Sequence, residues 1–245
     1  MLVVLLLSLM AQMAVSESNG QSCPAALRAR VVIGCWQILE RHADENIAVE
    51  TLAAYANAGF KVFDTADIYG RSESVLGQLR SIGIEPVIHT KFVTSKSDIE
   101  TARQINARSQ QALGGKPDLV AFHWWDYSDS RYVQAAHHLT TLRDQGLLGH
   151  VAACNFDLPH LQKMVDAGVP IVSNQVQYSL LDLRPENGML SYAKQKGIRI
   201  AAFGTVGGGL LSDRWLGAPP PSRDELATVS LRMYSTAPIS QKCST

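Results

Sequence analysis

Lys61-Val-Phe-Asp64, Pro86-Val-Ile-His-Thr-Lys91 and Asp118-Leu-Val-Ala-Phe-His123 are three short apolar runs, each closed by a residue that carries chemistry. Their apolar cores are rich in Val and Ile, as in strands covered on both faces. Working outward from them, the same pattern repeats. Val31–Gln37 is an earlier run of this type, and His150–Asn155, Pro170–Gln175 and Ile198–Phe203 are later ones.

Helical spacing fills the gaps. Ala48, Leu52, Tyr55 and Ala56 predict a helix over 46–58, with Gly59 beyond its end. Further helices are expected over about 72–80, 97–113 and 131–145, and from Pro185 to about Lys196. Asp157 is a candidate N-cap, with Pro159 early in its helix and Gly168 after it. Strands and helices thus alternate, which suits either a doubly wound open sheet or a closed barrel. The strand ends decide between them. Asp64, Lys91, His123, Asn155 and Gln175 all fall at ends of successive runs. A barrel brings every such end to one mouth, whereas an open sheet spreads them along a line. The expected fold class is therefore α/β, a (β/α)8 TIM-type barrel. It is expected to be incomplete, with about seven β/α units, because no eighth strand is visible after Phe203.

The chain has 245 residues and carries 22 Lys and Arg against 22 Asp and Glu. With that balance, no basic stripe suggests nucleic acid. Four cysteines without C-x-x-C spacing suggest neither a disulfide framework nor a zinc or redox motif. Cys35 and Cys154 lie in apolar runs and read as buried thiols. The apolar run 2–15 is too short to span a bilayer comfortably but fits a signal h-region, with a passable cleavage site at Ala14-Val15-Ser16. No Lys or Arg precedes it, so cytoplasmic and secretory or organelle destinations both stay open. The expected organisation is an apolar segment and linker over 1–27, the barrel over 28–235 and an unstructured tail over 236–245. No G-x-G-x-x-G follows the first run, and the P-loop pattern is absent.

Asp64, Lys91 and His123 gain a fourth partner in Tyr69, five residues beyond Asp64. A phenol titrates near pH 10 in isolation, and a neighbouring ammonium favours the phenolate. A Tyr so placed can give a proton to a developing alkoxide and take it back. Asp64 would keep Lys91 charged, and His123 would orient the substrate oxygen. One His and one carboxylate beside a Lys make a poor divalent-metal site. Taken singly, the same residues are a structural ion pair, a solvated turn phenol and a core histidine. Lys91 as a Schiff-base nucleophile is a further alternative, which a tight Asp64 partner opposes.

Asp64-Thr-Ala-Asp-Ile-Tyr69-Gly70-x-Ser72-Glu73 resembles the signature of the aldo-keto reductases. So do Lys91, the pair His123-Trp124, Asn155-Phe156 and the run Asn174-Gln-Val-Gln-Tyr-Ser179. The similarity covers about 30–235. It implies NADPH-linked reduction of an aldehyde or ketone, or the reverse, with Tyr69 as acid/base, Asp64 and Lys91 tuning it and His123 holding the carbonyl. It implies further that Asn155 and Gln175 hold the nicotinamide carboxamide of NADP(H) and that Phe203 stacks on its ring. Thr205 and Gly207, in the glycine-rich loop after Phe203, would lie along the pyrophosphate, and Trp36 and Trp124 would line the substrate pocket. A buried core Trp is the other reading of Trp36.

The sequence departs from the family in three places. Cys154 stands where a serine usually precedes the Asn, Phe203 where a tyrosine is common, and Gly204–Leu210 where a Ser-Pro-Leu-Gly type of run is usual. In the family, the eighth unit carries basic residues that grip the 2′-phosphate of the cofactor. Its absence here suggests a truncated gene product, a catalytically impaired binding or regulatory protein, or an assembly that supplies the strand.

Overall fold

The structure, a computed structural model, describes residues 25–219, 221–222, 224–226, 231–232 and 234. The apolar run 2–15, the proposed cleavage site, Cys23, Cys243 and the tail 236–245 lie outside the described residues. Among the described residues, no helix is long and apolar enough to cross a membrane. The chain divides into two compact units, one of which is Ser22–Asn174.

That unit holds strands β1 (Ile33–Gly34), β2 (Val62–Asp64), β3 (Val87–Thr94), β4 (Leu119–Trp124) and β5 (His150–Cys154). It also contains the first residues of β6 (Ile171–Gln177). From β1 to β5 each strand pairs in parallel with the next. Between them lie α1 (Ile38–Arg41), α2 (Glu45–Asn57), α3 (Ser72–Ser81), α4 (Ile99–Leu113), α5 (Tyr132–Asp144) and α6 (Leu158–Asp166). The alternation expected from the sequence is present. β4 runs one residue past His123 to Trp124 and β5 stops at Cys154, one short of Asn155. Two other strands differ more. β1 is shorter than the run 31–37, since only Ile33 and Gly34 find ladder partners, on the three-residue β2. β3 runs past Lys91 to Thr94, because Phe92, Val93 and Thr94 pair with Phe122, His123 and Trp124. Lys91 therefore sits inside its strand rather than closing it.

The helix starts follow local capping chemistry. Asp44 and Asp98 accept the Asn46 and Thr101 backbone N–H groups, each at 2.8 Å. Asp157 caps α6 by accepting from the His160 N–H at 3.0 Å. Each such cap is worth about 1 kcal/mol over alanine. Gly77 meets a different demand. A Cβ there would stand 2.2 Å from the Ala112 carbonyl oxygen, so only glycine lets α3 approach the last turn of α4 this closely. Arg80, one turn on, caps that end through Nη1 to the Leu113 carbonyl at 2.9 Å.

One core cluster lies where α2 and α3 cover β1–β3: Cys35, Leu52, Ala56, Phe63, Leu76, Leu79 and Ile88 are all 1% exposed or less. Burying a Leu, Ile or Phe side chain contributes about 1.5–3 kcal/mol. A second, smaller cluster joins Leu119, Ala121, Ala152 and Cys154. These residues share the strand parity of His123, whereas Val120, Phe122 and Trp124 have the opposite parity.

The other unit starts at Gln175. It contains the rest of β6, a 3-10 turn at Arg184–Glu186, α7 (Met189–Lys196) and β7 (Arg199–Phe203), then 3-10 turns at Gly207–Gly209 and Asp213–Trp215. The Tyr178 N–H donates to the Phe203 carbonyl at 3.2 Å, so the chain leaving β6 runs beside the end of β7. The helix expected from Pro185 to Lys196 is two pieces, because Gly188 between them takes φ 88°. Gln175 lies within β6, which runs on to Gln177.

Candidate active site

Register sets the site. Asp64 on β2 is the Cα partner of His89 on β3, and Lys91 is two residues further along, on the same face. On β4 the partner of Lys91 is Ala121, with His123 two residues beyond, again on that face. The parallel ladder thus arranges Asp64, Lys91 and His123 along one surface of three neighbouring strands.

Lys91 is 3% exposed. Its Nζ donates to Asp64 Oδ2 at 2.6 Å and to the Thr65 carbonyl at 2.8 Å. Burial alone would pull the ammonium down, but the Asp64 carboxylate outweighs it, with the Tyr69 phenol adding in the same direction, and the pKa is raised. A lysine held this firmly as a cation is a poor Schiff-base nucleophile. Tyr69 follows the short β2–α3 turn, in which its N–H donates to the Ala66 carbonyl at 3.1 Å. Lys91 Nζ lies 4.8 Å from the centre of the Tyr69 ring.

The phenol pKa is raised, contrary to the lowering expected from Lys91 alone. Burial raises it, Lys91 pulls it down, and Asp64 raises it again. Burial is the largest of these effects, and the ion pair's own carboxylate cancels part of the ammonium's field. Tyr69 consequently rests as the protonated phenol. His123 is lowered by burial and then by Lys91, so it rests as the neutral imidazole. Cys35 and Cys154 are buried as expected, and burial pushes both thiols up to about 12.

Trp36 is 42% exposed, which removes the core reading. Trp124 is the opposite. It is 1% exposed, its ring lies 5.9 Å from Phe122, and its Nε1–H donates to the Asp126 carbonyl at 2.8 Å. Strand alternation sets it with Phe122 on the opposite parity from His123. Trp125, which motif reading passed over, is 61% exposed and its ring lies 4.8 Å from the His123 ring. Counting strand parity from His123 would have separated the two tryptophans.

Asn155 follows β5 with an exposed side chain and φ 63°, the one non-glycine among the described residues with positive φ. Asparagine is among the few residues that tolerate this region, at a cost of roughly 1–2 kcal/mol. In the other unit, Gln175 is half-buried in β6 and Phe203 half-buried at the end of β7. Thr205 is also half-buried. Gly207 is buried with φ 57°, its N–H donating to the Gly204 carbonyl at 2.8 Å.

Residues 30–241 match the Aldo/keto reductase family. Methylglyoxal reductase DkgA of Yersinia pestis is 32% identical over 158 residues, 62% of this chain and 54% of that protein. An aldo-keto reductase of Mycobacterium sp. (strain MCS) is 26% identical over 208 residues, 81% of this chain and 68% of that protein. The chain spans about half the length of the DkgA relatives it matches. Among solved structures, the thermostable aldo-keto reductase Tm1743 with the inhibitor epalrestat superposes with a TM-score of 0.70 at 21% identity, over 79% of this chain and 75% of that one. The aldo/keto reductase of Klebsiella pneumoniae with NADP and acetate gives 0.67 at 23% identity, over 74% and 66%. At these identities the likeness shows the fold, the α/β barrel type expected from the strand ends.

Proposed function

Because the chain belongs to the aldo/keto reductase family, we propose that it reduces an aldehyde or ketone to the alcohol with NADPH, or runs the reverse reaction. The observation that carries this reading is the buried Lys91–Asp64 pair with the Tyr69 ring against its ammonium. The nicotinamide supplies the hydride when the cofactor is bound. Asn155 offers an exposed amide that is complementary to a carboxamide, and Gln175 carries the same group. We assign Phe203 to the nicotinamide ring and Thr205 and Gly207 to the pyrophosphate, on the family resemblance.

The neutral His123 donates its N–H to the carbonyl oxygen and fixes its direction. As the new C–H bond forms, the C=O π electrons move onto that oxygen. Tyr69 gives its proton to the oxygen, and the O–H bond of the alcohol is made. The phenolate left behind faces Lys91, whose ammonium Asp64 keeps charged. Solvent returns the proton to Tyr69. General acid catalysis of this kind is worth about 10²–10⁴-fold. A raised phenol pKa matters here, because the donor must still hold its proton when the alkoxide develops.

The relative named methylglyoxal reductase makes a small 2-oxoaldehyde the first substrate to try. NADPH oxidation with methylglyoxal is expected to fall by about 10²-fold or more in Tyr69→Phe. Unchanged activity in that variant would remove the role given to Tyr69. No NADPH binding at millimolar concentration would favour a binding or regulatory protein instead.

A further inference from the structure

We propose that Tyr127 is a positioning residue that holds Asn155 ready for the nicotinamide carboxamide. This rests on the cofactor role given to Asn155 above. Asn155 is held in the left-handed region, where the chain leaving β5 swings its side chain off the path an extended residue would take. Such a conformation persists only where its surroundings over-determine it.

The surroundings here are two side-chain donors on consecutive carbonyls. The Tyr127 hydroxyl donates to the Asn155 carbonyl at 2.9 Å. Asn174 Nδ2 donates to the Phe156 carbonyl at 2.8 Å, and Asn174 is fully buried. Rotation of the 155–156 peptide out of its present plane breaks the first bond and strains the second. Tyr127 itself is fixed. Its ring meets Phe156 edge-on at 5.1 Å and lies 4.9 Å from the His160 ring, on the helix that Asp157 caps. Burial, then Cys154 and Asp157, holds the phenol well above its ordinary pKa, so it stays a donor at every working pH.

The origin of Tyr127 adds a functional consequence. It stands four residues after His123, in the loop that leaves β4. β4 and the loop that leaves it therefore carry both the residue that orients the carbonyl and the one that orients the cofactor's amide holder.

The test is a double-mutant cycle read by NADPH fluorescence titration, with thermal melts confirming that each variant folds. Tyr127→Phe keeps the ring contacts and loses only the hydroxyl. It is expected to weaken NADPH binding about three- to tenfold, the worth of one hydrogen bond. In an Asn155→Ala background the same change is expected to cost nothing further. Unchanged affinity in Tyr127→Phe, or equal losses with and without the Asn155 side chain, would overturn the proposal, the second by showing a purely structural role. If Asn155→Ala itself binds NADPH like the wild type, the cofactor role of Asn155 fails and this inference goes with it. If Asn155→Ala weakens binding and Tyr127→Phe does not, only the positioning role is lost.

Discussion

Lys91 Nζ donates to Asp64 Oδ2 at 2.6 Å, with the lysine side chain 4% and the aspartate side chain 14% exposed. Deleting one partner of so buried a pair leaves an uncompensated charge, which typically costs 3–5 kcal/mol. Asp64→Ala is expected to lose about that much in urea unfolding, because the stranded ammonium is the more buried charge. Lys91→Met is expected to lose less, since the carboxylate keeps some access to water. The double variant is expected to recover part of the loss. A cost below about 1 kcal/mol for Asp64→Ala, typical of a surface pair, would contradict the burial argument.

Under the role proposed for Tyr69, alcohol oxidation runs through its phenolate, so its rate is expected to rise with pH through the raised phenol pKa. Lys91 lowers that pKa and Asp64 raises it. Lys91→Met is therefore expected to move the alkaline limb of the kcat/KM profile to higher pH, and Asp64→Asn to lower pH. The two shifts have opposite signs, and a common direction would rule out this division of roles. On the acid side, His123 titrates below its ordinary 6.5 partly because Lys91 repels the imidazolium. Lys91→Met is expected to move the acid limb of carbonyl reduction upward as well.

The tryptophan pair separates packing from recognition. Trp124→Ala is expected to cost about 3–5 kcal/mol of stability as a large-to-small core change. Trp125→Ala is expected to leave the urea midpoint nearly unchanged and to raise KM for a hydrophobic carbonyl about tenfold, the worth of one lost apolar contact surface. Steady-state kinetics on both variants checks this. A KM effect confined to Trp124→Ala would assign the pocket wall to that residue instead.

Asp67 is a further titrating group, outside the Asp64–Lys91–Tyr69 cluster. Burial first, and Glu73 in the same direction, raise its carboxyl to about 7, against the Val93 N–H that donates to Oδ2 at 3.3 Å and the more distant Arg108. A carboxyl raised in the fold contributes stability in full below its ordinary 3.8 and loses it as pH climbs through about 7. Asp67→Asn keeps an acceptor for Val93 and removes the charge. It is expected to stabilise the protein at pH 8 by on the order of 3 kcal/mol and to do little at pH 4. Denaturant midpoints at the two values provide the measurement, and an equal effect at both would refute the shift.

Much of the site was legible because it obeys local rules. Asp64 and His123 mark strand ends or near-ends that apolar runs announce, and Lys91 shares their face by the period of two. The Asp157 cap of α6 follows from backbone chemistry within a few residues. The end of β3 was not legible, because Phe92–Thr94 are strand only by virtue of their partners on β4. The break at Gly188 was hidden too, since glycine within a helical pattern does not announce whether it will turn left-handed.

The sequence by itself determined the alternation of strands and helices, the order of Asp64, Tyr69, Lys91 and His123, and the family. These depend on periodicity and on short motifs, both carried by neighbouring residues. The tertiary structure alone decided that β3 runs on to Thr94, that burial outweighs the ammonium at Tyr69, and that Tyr127 reaches the Asn155 carbonyl 28 residues away. Each of those is a balance of distances and desolvation between distant segments, and a linear chain holds no record of distance until it folds.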